Sequence, residues 1–171
     1  MTVKLHKTLG FTLVELMVVV AILGILLAVG LSSYQERLRK ESLNNIADTF
    51  AQAINNARSA GLAKSSDVFL SAKDGSSWCY GAHIAPPAAA CDCTKDPSGA
   101  DADKCDAAFT LQNNNTEISA SFGDLAGNDI QIDSVRGLLN PSSVISVTFT
   151  NSAGDTAQVR IGSTGEARRI Q

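Results

Sequence analysis

The chain is poor in the residue types that catalysis usually needs. It holds two histidines in 171 residues, and one of them, His6, lies in the polar opening stretch. No G-x-S-x-G string, glycine-rich phosphate loop or H-E-x-x-H helix occurs. The four cysteines are even in number and close together, so all can pair, leaving no free thiol for His83 to activate. An excess of positive charge is also lacking: the formal charge is −3. That balance argues against a protein built to coat nucleic acid or anionic lipid. Proline is absent from residues 32–62 and the first glycine of that stretch is Gly61, so nothing there breaks a helix. No internal repeat is present.

What the chain does have is one long apolar run, FTLVELMVVVAILGILLAVGL at residues 11–31, without a Lys, Arg or His. As a helix it is roughly 30 Å long, enough to cross a hydrocarbon core. Within it stands a single carboxylate, Glu15. A carboxylate near the bilayer centre costs roughly 2.5–3.5 kcal/mol on insertion scales, so an ionisable group in such a run marks a site with a partner. The run itself offers no cation. The opening stretch MTVKLHKTLG supplies one by another route: a cut between Gly10 and Phe11 creates an α-amine on Phe11, four residues from Glu15. Amine and carboxylate at that spacing pair within one chain or between neighbours, and an anion in the first turn suits the helix macrodipole. Lys4 and Lys7 ahead of the run place its start on the cytoplasmic side.

The string Gly10-Phe11-Thr12-Leu13-Val14-Glu15-Leu16, behind a basic leader and ahead of a long apolar run, resembles the class III signal of type IV pilins and type II secretion pseudopilins. The resemblance implies cleavage after Gly10 by a prepilin peptidase, N-methylation of Phe11, and a role for Glu15 in recruiting the subunit into a filament. A conventional secretory signal cut near Ala28-Val29-Gly30 is the competing reading. Against it stand the carboxylate and the length of the run.

Beyond residue 31, apolar residues recur in steps of three or four at Leu43, Ile46, Phe50, Ile54 and Ala57, between polar positions such as Asp48 and Arg58. This predicts an amphipathic continuation of the same helix to residue 62, with Gly61 as its stop signal. From residue 63 the pattern changes to short β segments. Strands are expected at 67–72, 78–84, 109–111, 118–122, 130–135, 143–150, 156–161 and 167–170, with hairpin turns at 153–155 and 162–165. The predicted fold class is α+β: a long N-terminal helix on an antiparallel head. The divisions are a leader at 1–10, a transmembrane half-helix at 11–31, an amphipathic half at 32–62 and a β-rich head at 63–171.

Cys79, Cys91, Cys93 and Cys105 staple a loop within that head. An exported domain favours two disulfides over a four-thiolate zinc site. A Cys91–Cys93 bridge would close a very small ring. Two connectivities remain, of which Cys79–Cys91 with Cys93–Cys105 is preferred to Cys79–Cys93 with Cys91–Cys105. The aspartates Asp92, Asp96, Asp101, Asp103 and Asp106 lack the ligand spacing of an EF-hand loop and read as a solvated acidic loop. No cofactor and no metal is expected. Trp78 reads as core.

The strings Trp78-Cys79-Tyr80-Gly81 and Cys91-Asp92-Cys93, and the C-terminal hairpin followed by basic residues, resemble minor pilins of the FimT/FimU type and H-type pseudopilins. Many major pilins have a proline just past the membrane stretch; here those positions read Leu31-Ser32-Ser33, which points to a minor subunit. The resemblance implies a non-enzymatic structural subunit of a type IV pilus or type II secretion system, single-pass in the bacterial inner membrane with its head in the periplasm. Its partners would be prepilin peptidase and other pilins or pseudopilins. The alternative is a filament-tip binding module for DNA uptake or adhesion, with Arg168 and Arg169 as contacts. Some FimT-like pilins carry a Gly-Arg-x-Arg tail, whereas this chain reads Gly165-Glu166-Ala167-Arg168-Arg169. Glu166 reverses a charge. Without the leader, 12 basic residues face 17 acidic ones, a formal charge of −5, which also counts against nucleic acid.

Overall fold

A computed structural model describes residues 11–84, 91–113, 117–127 and 130–170, with residues 27–33 described by backbone alone. The leader with Gly10, the side chains at the end of the expected transmembrane half, and Pro86 and Pro87 of the stapled loop lie outside the described residues. The chain divides into two units, residues 1–39 and 40–171.

In the first unit the described residues enter a helix, α1, which runs from Leu13 to Lys64 and so continues into the second. Every described side chain from 11 to 26 is exposed, including Phe11 at 70% and Leu13 at 75%. Surface that apolar is costly in water and calls for a partner or a lipid phase. Among the described residues, no helix is long and apolar enough to cross a membrane.

In the second unit α1 behaves as its periodicity predicts. Leu43, Phe50, Ile54 and Ala57 are buried, Ala47 and Ala51 complete the stripe, and Ile46 packs at its border. The helix ends in a Schellman arrangement. Ser66 N–H donates to the Gly61 carbonyl at 3.0 Å, Ser65 N–H donates to Leu62 at 3.2 Å, and Ser65 takes the left-handed conformation (φ 51°). Gly61 is therefore not the stop residue. It lies inside the helix, where a Cβ would fall 2.3 Å from Val68 Cγ2. Glycine is needed there because α1 and the first strand approach too closely for any side chain.

Two antiparallel sheets complete the head. One has the order β3-β2-β1-β5-β6, from β1 (Val68–Lys73), β2 (Cys79–Ile84), β3 (Leu111–Gln112), β5 (Ile130–Ile132) and β6 (Leu139–Asn140). The other has the order β4-β7-β8-β9, from β4 (Ile118–Ser121), β7 (Ile145–Asn151), β8 (Thr156–Ile161) and β9 (Ala167–Ile170). The expected strands are present with shifts at their ends. The segment at 109–111 runs from the last residue of a 3-10 turn (Ala107–Phe109) to the first residue of β3, and β6, only two residues long, is additional. In β7 and β8 alternate residues face inward, Ile145, Val147 and Phe149 with Val159 and Ile161, which pins the register.

The centre is aromatic. Phe50 of α1 meets Tyr80, Phe122 and Phe149 edge-on at 4.9–5.6 Å, and Trp78 meets Phe122 and Phe149. Such pairs add about 0.5–1.5 kcal/mol each beyond burial. Trp78 is buried and its indole N–H donates to the Ile118 carbonyl at 3.1 Å, so it is a core residue. The Tyr80 hydroxyl is buried without a hydrogen-bond partner among the described residues, and burial pushes its pKa up.

Candidate functional site

The N-terminal site starts at Thr12. Its Oγ1 accepts the Glu15 backbone N–H at 3.3 Å, and its carbonyl accepts Leu16 N–H at 3.2 Å. Thr12 thus caps α1, and Thr12-Leu13-Val14-Glu15 is the capping-box spacing. The sequence reading gave Glu15 an assembly role and passed over Thr12. The T-x-x-E pattern ahead of an apolar run was the available signal. Glu15 is exposed, so its carboxylate faces outward from the first turn while its amide is held by the cap.

The four cysteines do form two disulfides, but in the connectivity that the sequence reading ranked second: Cys79–Cys93 and Cys91–Cys105, with Cα separations of 5.7 and 4.9 Å. Two local features impose this pairing. Gln112 of β3 stands opposite Cys79 in the sheet, and its side-chain amide donates to the Cys93 carbonyl at 2.8 Å and to Lys95 at 2.7 Å. That anchors Cys93 beside Cys79. Asp92 bridges to Lys104, with its N–H donating to the Asp103 carbonyl at 2.7 Å, which sets Cys91 against Cys105. Sequence spacing could not show either contact. The stapled loop lies on the outer face of β2, where a Cβ on Gly81 would sit 2.3 Å from Cys105 Sγ. This is why β2 is buried on both faces.

Four of the loop aspartates are engaged within the fold, three of them inside the loop and Asp106 against β2. Asp92 accepts Thr94 Oγ1 at 2.7 Å and Thr94 N–H at 2.9 Å, and these bonds hold its carboxyl below the usual range. Asp96 accepts Ser98 N–H, and Asp103 pairs with Lys95, which lowers the pKa of the acid and raises that of the amine. Asp106 accepts Ile84 N–H and lies 3.3 Å from His83 Nδ1. Among the described residues no group of three or more His, Cys, Asp or Glu is placed to hold a metal ion.

The C-terminal arginines separate. Arg169 donates from Nε to Asp48 Oδ1 at 2.8 Å and from a terminal nitrogen to Asn44 Oδ1 at 2.9 Å, both on α1. Its guanidinium is thus engaged within the fold, which counts against the DNA contact that only the alternative reading gave it. Asn55 of α1 completes the junction: its amide donates to the Ala167 carbonyl at 2.8 Å and accepts the Ala167 N–H at 2.9 Å. Nothing in the sequence marked Asn44, Asp48 or Asn55 for this. Arg168, by contrast, points to the outer face of β9 opposite Arg160 of β8, and both are exposed.

Residues 5–31 match the family model for the prokaryotic N-terminal methylation motif. The chain is 50% identical over 46 residues to prepilin peptidase-dependent protein D of Escherichia coli (strain K12), and 48% identical over 42 residues to fimbrial protein EcpB of Eikenella corrodens. These matches span 27% and 25% of this chain, and only 32% and 26% of the relatives' lengths. The structure aligns with the type IV minor pilin FimU of Pseudomonas aeruginosa (strain PAO1) at a TM-score of 0.53, covering 78% of this chain and 91% of FimU at 11% identity. The fold is the α+β pilin fold seen in FimU. The likeness to FimU is therefore one of architecture, and the sequence motif that matches a family model lies at residues 5–31.

Proposed function

We propose that this chain is a minor pilin or pseudopilin, a non-enzymatic structural subunit of a type IV pilus or a type II secretion pseudopilus. One observation carries the reading: the methylation motif at 5–31 overlaps the start of α1, and the later half of the same helix packs into the core of a head whose fold is that of FimU. On this reading prepilin peptidase cuts after Gly10 and Phe11 becomes the methylated terminus. Residues 11–31 hold the precursor in the bacterial inner membrane as a single span, with the head in the periplasm.

Glu15 then has its partner in the Phe11 amine, of its own chain or of a neighbour. The exposed apolar side chains of residues 11–26 pack first in lipid and then against the helices of other subunits. A charge that is costly alone in lipid and neutralised between subunits favours entry into the filament in one register. The disulfides suit the oxidising periplasm.

N-terminal mass spectrometry of the mature protein tests the proposal. A chain that starts at methylated Phe11 supports it, and a chain that starts at Leu31 overturns it. Deleting the gene and comparing piliation with enzyme secretion assigns the machine.

A further inference from the structure

Arg160 and Arg168 stand directly opposite each other on β8 and β9, on the outer face of the sheet. Like charges so placed destabilise a strand pair. Among the described residues neither guanidinium has an ion-pair or hydrogen-bond partner, whereas Arg169 has two. Both line a cleft of about 330 Å³ together with Glu166, Ser163, Thr164 and Val144, at the small end of the range for small-ligand sites. One wall is fixed in place. Gly165 N–H donates to Gly162 at 2.8 Å and Gly162 N–H to Glu166 at 2.9 Å. Gly165 has φ +70°, and a Cβ there would lie 2.7 Å from the Gly137 carbonyl and 3.2 Å from Arg58 Cδ.

We propose that this cleft binds an acidic sugar, a polyhydroxylated ring bearing one carboxylate. Two guanidiniums offer planar forks of N–H donors suited to a carboxylate. Glu166 is an acceptor-only group, which repels a bare anion and suits ring hydroxyls. Ser163 and Thr164 add groups that both donate and accept, and Val144, 45% exposed, offers an apolar patch to the C–H face of a ring. A nucleic acid fits this mixture poorly, because Glu166 stands among the cations and the mature charge is −5. The inference goes beyond filament assembly and does not depend on it, since the cleft lies wholly within the head.

The test uses the full chain in detergent micelles and follows binding by NMR shift perturbation. The probes are methyl glucuronide, a methyl sialoside, neutral methyl glucoside, inorganic phosphate and a short DNA duplex. At least one acidic sugar is expected to bind saturably, with methyl glucoside at least tenfold weaker. Arg160→Gln and Arg168→Gln should each weaken the acidic sugar by about tenfold, with circular dichroism confirming the fold. Glu166→Ala decides the class of ligand: it weakens an acidic sugar, whose hydroxyls lose an acceptor, and strengthens a simple oxyanion or DNA. Failure of both acidic sugars to bind, tighter binding of phosphate or DNA, or a gain of affinity in Glu166→Ala overturns the proposal.

Discussion

The side-chain amide of Asn55 grips the backbone of Ala167, accepting its N–H at 2.9 Å and donating to its carbonyl at 2.8 Å. Ala167 opens β9, the last strand of its sheet. The pair therefore replaces the ladder bonds that a further strand would supply, and a side chain of α1 closes an edge that would otherwise offer itself to another chain. Two residues on, Arg169 repeats the attachment through Asp48 and Asn44.

Asn55→Ala should thus be the costly change at this junction. It leaves two partly buried backbone groups unpaired, each worth about 1–3 kcal/mol. Arg169→Ala should cost at most about 1 kcal/mol, because its ion pair with Asp48 is partly open to solvent. Arg168→Ala should be neutral or slightly stabilising, since it relieves repulsion with Arg160. Urea unfolding of the three variants tests this order. A loss for Arg168→Ala greater than that for Asn55→Ala would show that the edge is held otherwise.

Thr12 and Glu15 divide the work at the start of α1. Thr12→Val removes the cap and should cost the first turn about 0.5–2 kcal/mol, seen as fraying of amide signals at residues 12–16 in micelles. Glu15→Val keeps that cap and should still insert and be cleaved, yet enter filaments poorly. Normal incorporation of Glu15→Val would remove the assembly role proposed for the carboxylate.

Thiol counting distinguishes the two disulfide connectivities. Replacing Cys79 and Cys93 together by Ser leaves the Cys91–Cys105 bridge intact, so no free thiol is expected. Replacing Cys79 and Cys91 together orphans Cys93 and Cys105, and two free thiols should appear. The reverse result would restore the pairing preferred from sequence.

The acidic loop sets a pH dependence with a definite sign. Hydrogen bonds from Thr94 depress the Asp92 pKa, and the Lys95 pair depresses that of Asp103. The unfolded chain binds these protons more readily, at about pH 3.9. The stabilising contribution is therefore complete above that pH and is lost as pH falls through the depressed folded values. Thr94→Val should raise the Asp92 pKa toward the ordinary carboxylate value in an NMR titration while Asp103 stays low. An unmoved Asp92 would mean that another contact holds it.

The sequence by itself determined the long helix, the position of its amphipathic face and the β-rich head. It also determined the N-terminal methylation motif, because each depends on local periodicity or on a contiguous string. Phe50, Ile54 and the alternating β7 and β8 were legible for that reason. Tertiary structure decided what depends on approach between distant segments. Gly61 resembled a helix stop, but it is the point where α1 and β1 touch. The cysteine pairing follows from Gln112, on a two-residue strand whose place no periodicity reveals. Arg168 and Arg169, adjacent in the chain, point to opposite sides of a strand: one is bound by α1 and the other faces Arg160. Strand alternation predicts that neighbours diverge. Only the packed fold shows which of the two is left facing outward.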